Sequence, residues 1–261
     1  MIKKINKIFL KSNALRFCIS LLFIFFILIS IWQAVILFTK VPEYILPSPV
    51  EVLIELYIKQ KLIFYHFKIT FLEIILGIFF GTILGIIGAI TIFIFKPARI
   101  WLLPLLIASQ AIPVFAIAPL LVLWLGYGIS SKIAMAILII FFPVTANFLD
   151  GLKSTRRDWV DLAKIMSNKK KFSKYFILIN IQIPAALPNL GSGLRVAAAV
   201  APIGAIVGEW VGSGAGLGFL MLQSNAKFQI DLMFASLIVI IFTSLIIYFS
   251  IDLFIKSYIK W

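Results

Sequence analysis

Runs of apolar residues separated by polar stretches divide the chain into about six helices, over residues 17–38, 67–95, 100–124, 133–149, 188–210 and 232–255. Each is long enough to cross a hydrocarbon core of about 30 Å at about 1.5 Å per residue. The fourth is short, and Pro104, Pro113 and Pro119 break the third. One connection departs from the pattern. From Asp150 to Pro188 the chain is polar and rich in Lys and Arg, yet it also reads as helix. Trp159, Leu162, Ala163 and Met166 recur there at three- and four-residue spacing, with Arg156, Asp161, Lys164, Lys169, Lys170 and Lys171 elsewhere, which makes an amphipathic helix. Such a helix can lie on anionic lipid or dock apolar side down in a partner's groove. A short helix is expected over residues 219–227. The pattern therefore predicts an all-α polytopic membrane protein with a single transmembrane domain over residues 1–261. Within it are an N-terminal tail and span (1–40), an external segment (41–66) and a helical core (67–255) containing the polar loop at about 150–187.

Composition supports lipid as the solvent. The chain is 62% hydrophobic and 13% charged, with mean hydropathy +1.12, against about 45–50% and 25% for soluble domains. A net charge of +14 could suggest nucleic acid. In a polytopic chain the retention of Lys and Arg on cytoplasmic loops accounts for it. An even number of spans puts both termini on one side. That side then holds every basic residue except Lys40, Lys59, Lys61, Lys68, Lys132 and Lys227, so it is read as cytoplasmic. The basic N-terminus (Lys3, Lys4, Lys7, Lys11, Arg16) imitates a signal peptide, but the apolar run after it is too long and no small-residue cleavage site follows; it reads as an uncleaved first span. The single cysteine, Cys18, permits no intramolecular disulfide and no Cys-based metal site.

Several features carry candidate chemistry. Gly77, Gly81, Gly85 and Ala89, with Gly88 beside them, form a small-residue face where another helix can approach closely, within this chain or from a second subunit. Prolines free backbone carbonyls that need partners in lipid, and broken helices recur along substrate pathways. Ser109 and Gln110, before Pro113, are polar side chains able to line one; a purely structural kink is the alternative. From Gly208 to Gly218 five glycines occur in eleven residues, too unlike a phosphate loop to be one. Glu209 within that segment, and Glu73 in the second span, are costly in hydrocarbon. Each is expected at an interface, or facing an aqueous cavity or gate. His66 sits at a span boundary with no companion ligand, so no metal site is expected. No Ser/His/Asp or Cys/His set, paired carboxylates or nucleotide motif is present, and no catalytic residue is assigned.

The polar loop resembles the cytoplasmic loop of the membrane-spanning permease subunits of bacterial ABC importers of the binding-protein-dependent type. Asp161-Leu162-Ala163 stands where that family has Glu-Ala-Ala, Ser167 where it has glycine, and Ile181-Gln182-Ile183-Pro184 where it has Ile-x-Leu-Pro. The stretch from Ser167 to Ile181 is longer than the family's. Colinear motifs extend the likeness over about residues 42 to 255: Leu46-Pro47-Ser48-Pro49 with Val52-Leu53, Pro119-Leu120-Leu121, Trp124-Leu125-Gly126-Tyr127-Gly128, Phe142-Pro143, Pro184-Ala185-Ala186-Leu187-Pro188, Gly193-Leu194-Arg195, and Gly208-Glu209 with Gly214-Ala215-Gly216-Leu217-Gly218. They look like the nitrate/sulfonate/taurine branch. Ala108-Ser109-Gln110-Ala111-Ile112-Pro113 and Glu209-Trp210-Val211-Gly212 look most similar to permeases for the pyrimidine precursor of thiamine. Alkanesulfonate, taurine, nitrate and riboflavin importers share much of the frame.

The resemblance implies a non-catalytic transport subunit, multi-pass in the bacterial inner membrane. It implies a second permease chain, as a homodimer, two cytoplasmic ATP-binding subunits and an external solute-binding protein, with no nucleic acid. ATP and Mg would be used by the partner ATPase and no cofactor bound by this chain. Asp161, Leu162, Ala163, Ser167, Ile181, Ile183 and Pro184 would couple to the ATPase; Ser109, Gln110, Pro113, Glu209 and Trp210 would border the pathway or gate; Gly77, Gly81 and Gly85 would pack helices. An ion-coupled secondary carrier would need a relay of intramembrane acids and usually more spans. A membrane-embedded enzyme would have only Glu73, Glu209 and Asp150 to work with.

Overall fold

A computed structural model describes residues 23–166 and 173–259. The elements are α1 (Phe23–Thr39), α2 (Pro49–Ile58), α3 (Gln60–Ile94), α4 (Lys96–Ala111), α5 (Val114–Leu125), α6 (Ile129–Lys153), α7 (Arg157–Met166), α8 (Ser173–Ile177), α9 (Ile183–Gly212), α10 (Leu217–Ala226) and α11 (Ile230–Tyr258). A π-helical turn, Leu178–Gln182, joins α8 to α9 without a break. Cys18, the start of the first expected span, Ser167 and Lys169, Lys170 and Lys171 lie outside the described residues.

Among the described residues four helices are long and apolar enough to cross a membrane: α3, α6, the continuous Lys174–Gly212 and α11. A fifth span results if α4 and α5, bent by 106°, count as one. The bend falls at Ile112 and Pro113. A residue before proline is pushed out of the α region, and Ile112 is extended at φ −83°, ψ 121°. Pro104 and Pro119 lie inside α4 and α5 without ending them.

Helix ends differ from the hydropathy reading where polar side chains find protein partners. α3 begins at Gln60 rather than 67, carrying His66 inside the helix. α6 begins at Ile129 rather than 133, because Lys132 is buried rather than a boundary. The end of the polar loop belongs to a span: Pro184 follows the π turn inside the continuous helix, where its missing N–H interrupts the regular ladder, and Pro188 lies further in. The expected helix over 219–227 is α10.

Residues 23–60 with 224–235 form one compact unit, and residues 61–223 with 236–259 another. In the first, α2 opens with a capping box: Glu51 N–H donates to Ser48 Oγ at 3.2 Å, and Ser48 N–H to Glu51 Oε2 at 2.7 Å. Trp32 of α1 lies 5.6 Å, ring to ring, from Phe234.

In the second unit, α6 and α9 make the most extensive helix pair. In lipid the drive for such pairing is close backbone approach, which small residues permit. Gly193 sits under the Pro143 carbonyl, Gly204 on Ala136 and Gly208 on Lys132. The small-residue face of α3 lies on the same helix α6. A Cβ at Gly81 would come 2.7 Å from Ile140, one at Gly85 2.7 Å from Val144, and Gly77 abuts Ala136. Ile74, Ala136, Ile140, Val144, Ala197, Ala198, Ala201, Ala205 and Ile247 close the core between these helices and α11. Arg195 of α9 and Lys256 both meet Asp252 of α11 at 2.6 Å.

Candidate functional site

Two places gather the residues singled out from sequence, and α9 runs from one to the other. The first is α7 with the π turn. Ser154 ends α6, donating its hydroxyl to Gly151 O at 3.0 Å, and the chain re-enters helix three residues later. Ion pairs dress the surface of this turn: Lys153–Asp150 at 3.7 Å, Arg156–Asp158 at 3.1 Å and Lys164–Asp161 at 2.7 Å. All are exposed, and each is worth at most about 1 kcal/mol. The apolar stripe is split. Ala163 is buried, whereas Trp159, Leu162 and Ile165 are exposed, Ile165 by 79%. A hollow of about 290 Å³ behind α7 is bordered by Phe93, Leu152, Arg157, Val160 and Gln182. Ile181 lies in the π turn, and Ile183 and Pro184 begin α9. Lys174 reaches back to the Ile94 carbonyl at 3.4 Å, at the C-terminal end of α3 where a cation is favoured. Ser167, placed in this group by sequence, is outside the described residues.

The second place is a buried polar cluster at the far end of α9. His66, Thr70 and Glu73 share the face of α3 that carries Gly77, Gly81, Gly85 and Ala89, and all seven are buried. Glu209 of α9 is 1% exposed and Glu73 not at all. Both glutamates are therefore enclosed by protein. Glu209 is satisfied on both oxygens. Thr70 Oγ1 donates to Oε1 at 2.5 Å and Gly218 N–H to Oε2 at 2.5 Å. The next two donors of the same loop are also taken, Leu217 N–H by Thr70 Oγ1 at 2.7 Å and Gly216 N–H by His66 Nδ1 at 3.0 Å. Because Nδ1 accepts, the ring's proton sits on Nε2. Glu73 lies against the Glu209 carboxyl and also against the Lys132 ammonium of α6, at 3.4 Å. Gly216 holds φ at +115°, and a Cβ there would collide with the Glu209 carboxyl; at Gly218 it would come 2.8 Å from Oε2. Only glycine lets the loop backbone reach the carboxylate.

The residues expected from sequence to border a pathway lie on α4, at the bend before α5 and on α9. Ser109 returns its hydroxyl to Leu106 O at 2.7 Å, while Gln110 and Pro113 are exposed. Trp210, 40% exposed, faces Phe115 of α5 with ring centroids 6.1 Å apart. Sequence reasoning left out Thr70 and gave His66 and Lys132 no partner. The signal was the spacing 66, 70, 73, 77, 81, 85, 89, one helix face whose polar members precede its small ones.

Residues 77–260 match the family of binding-protein-dependent transport system inner membrane components. The chain is 50% identical over 233 residues to a probable ABC transporter permease protein of Haemophilus influenzae, covering 89% of this chain and 94% of the relative. It is 37% identical over 217 residues to a formylaminopyrimidine transport permease protein of Halalkalibacterium halodurans, covering 83% and 85%. With a riboflavin transport system permease protein of Chloroflexus aurantiacus it shares 32% over 238 residues, covering 90% and 87%.

Proposed function

This chain belongs to the inner membrane components of binding-protein-dependent transport systems, the multi-pass permease subunits of ABC importers, and we propose that the solute it passes is a pyrimidine precursor of thiamine. The subunit is non-catalytic; ATP is hydrolysed on a separate partner. Support for the solute class is the 37% identity to the formylaminopyrimidine permease along most of both chains. The 32% identity to the riboflavin permease supports the second reading. In the proposed assembly two copies of this chain pair in the bacterial inner membrane, with two ATP-binding subunits on the cytoplasmic side, where Mg-ATP is used, and a solute-binding protein outside.

The observation that carries the coupling role is α7, a charged helix that presents Trp159, Leu162 and Ile165 to solvent beside the start of a continuous span. Exposed apolar side chains on a helix that is otherwise charged suit a groove in a partner. Asp161, Leu162 and Ser167 are proposed to sit in that groove, Ala163 to take part in coupling by seating α7 on this chain, and Ile181, Ile183 and Pro184 to pass the movement into α9. Ser109, Gln110, Pro113 and Trp210 are proposed to border the solute route, and Glu209 to form part of its gate. The test is affinity purification of the tagged chain from its native membrane in mild detergent, with an Asp161→Arg chain as control. An ATPase that co-purifies with the parent and is lost from the control supports the reading, and ligand screening of the co-purifying binding protein separates pyrimidine from riboflavin. A folded preparation that retains no ATPase with either chain would sink it.

A further inference from the structure

We infer that His66, Thr70 and Glu209 are positioning residues of the transport cycle: they latch the start of α10, with the loop 213–216 that leads into it, onto α3 and α9, so that this segment follows α9 when the opposite end of α9 is driven. The inference rests on the permease reading above.

Three consecutive backbone donors, Gly216, Leu217 and Gly218 N–H, all end on side chains of α3 or α9. Gly216 precedes α10 and Leu217 and Gly218 begin it, so these are N-terminal N–H groups that no helical bond takes and that water could have taken. Here they are spent on a buried imidazole, hydroxyl and carboxylate. A buried carboxylate in a membrane protein is costly unless fully satisfied, and an apolar side chain would have packed at less cost. The arrangement is directional as well. Thr70 is the hinge of it, accepting from Leu217 while donating to Glu209, so one hydroxyl joins α3, α9 and the loop. Gly216 and Gly218 admit no side chain without displacing the Glu209 carboxyl.

Position on α9 gives the latch a function beyond holding a loop. Glu209 and the Ile183–Pro184 start of α9 belong to one helix, 26 residues or about 40 Å apart. Along that length α9 packs on α6 through Gly193, Gly204 and Gly208, which leave little freedom to slide. The helix runs on past Pro188 and Pro202, so movement imposed at the α7 end is carried along α9 toward Glu209. A second, released state of the latch would hand its three N–H groups to water as the side chains withdraw.

The test uses the whole importer, this chain with its ATPase and binding protein, reconstituted in liposomes. The reporter is Gly214→Cys in a Cys18→Ser background; a Cβ at 214 meets nothing within 4 Å. Labelling by a membrane-impermeant maleimide is followed without nucleotide and with ATP and vanadate, alongside solute imported per ATP hydrolysed. In the parent, labelling is expected to change about threefold or more between the two states. Thr70→Val removes the hydrogen-bonding hinge at constant shape. It should make labelling fast and indifferent to nucleotide and lower solute per ATP about tenfold, the weight of one charge-assisted hydrogen bond. Thr70→Ser should restore both. If Thr70→Val fails to assemble, Glu209→Gln, which cannot accept from both donors, carries the same expectation. A parent that imports nothing with ATP sinks the permease reading. A parent that imports normally, with variants that keep its nucleotide-dependent labelling and its yield per ATP, sinks the latch alone.

Discussion

Glu209 shows what a buried carboxyl group requires. Both oxygens are occupied by donors from two different elements, and the two glycines nearest it have no room for a side chain. Gly216→Ala is expected to cost more than about 2 kcal/mol, because it adds both a collision and an unfavourable φ. Gly214→Ala, two residues away in open space, should stay within about 0.5 kcal/mol. Thermal unfolding of the two variants in mild detergent distinguishes them. The Lys132–Glu73 pair makes a second prediction at this scale. Lys132→Ala leaves the buried Glu73 carboxyl with no cation beside it and should destabilise by about 1–3 kcal/mol, and adding Glu73→Gln should recover part of that. Equal melting points for Lys132→Ala and the double variant would show that the pair is not coupled.

At the scale of the element, α2 and α7 respond to different variables. The capping box holds the Glu51 carboxyl below the usual glutamate range, first through the Ser48 backbone N–H and then through its hydroxyl. A lowered folded value means the stabilisation is present at neutral pH, and is lost as pH falls from the ordinary glutamate range through the folded value. The protection of the Glu51 and Val52 amides against exchange should therefore fall in acid, and Glu51→Gln should remove that pH dependence; Ser48→Ala, which keeps the backbone N–H, should leave part of it at a cost of about 1 kcal/mol. For α7, Asp161→Arg breaks its tie to Lys164 and reverses a charge, and Ala163→Asp puts a carboxylate in a buried site. Either is expected to uncouple ATP hydrolysis from uptake. Intact uptake with normal substrate-stimulated ATPase in both would remove α7 from the mechanism.

For the whole molecule, the asymmetry of basic residues predicts opposite exposure of the two ends of α9. In intact cells with Cys18 replaced, Gly214→Cys should react with an impermeant maleimide, and Ser154→Cys should be protected until the membrane is opened. The reverse pattern would invert the topology. The close approach of α3 to α6 predicts that Gly81→Leu, which would drive a large side chain into Ile140, destabilises by roughly 1–3 kcal/mol or more. A melting curve unchanged from the parent would argue against that contact.

Helix class, apolar spans and the amphipathic character of residues near 159–166 were legible in the sequence because each depends on local periodicity and on transfer of side chains from water. Family membership was legible too, since colinear motifs survive as strings of neighbours. Span ends were misplaced by several residues at His66, Lys132 and Ile183. Hydropathy charges a polar residue its full cost, whereas the fold offsets that cost with a partner far along the chain. The same reason hid the cluster. Thr70 and Glu209 are 139 positions apart, and nothing in either segment alone says that they share a proton donor and acceptor at 2.5 Å. The sequence by itself determined that this chain lives in lipid as helices; only the tertiary structure decided which polar groups meet inside it, because hydrogen bonds in a membrane are made to whatever neighbour packing provides.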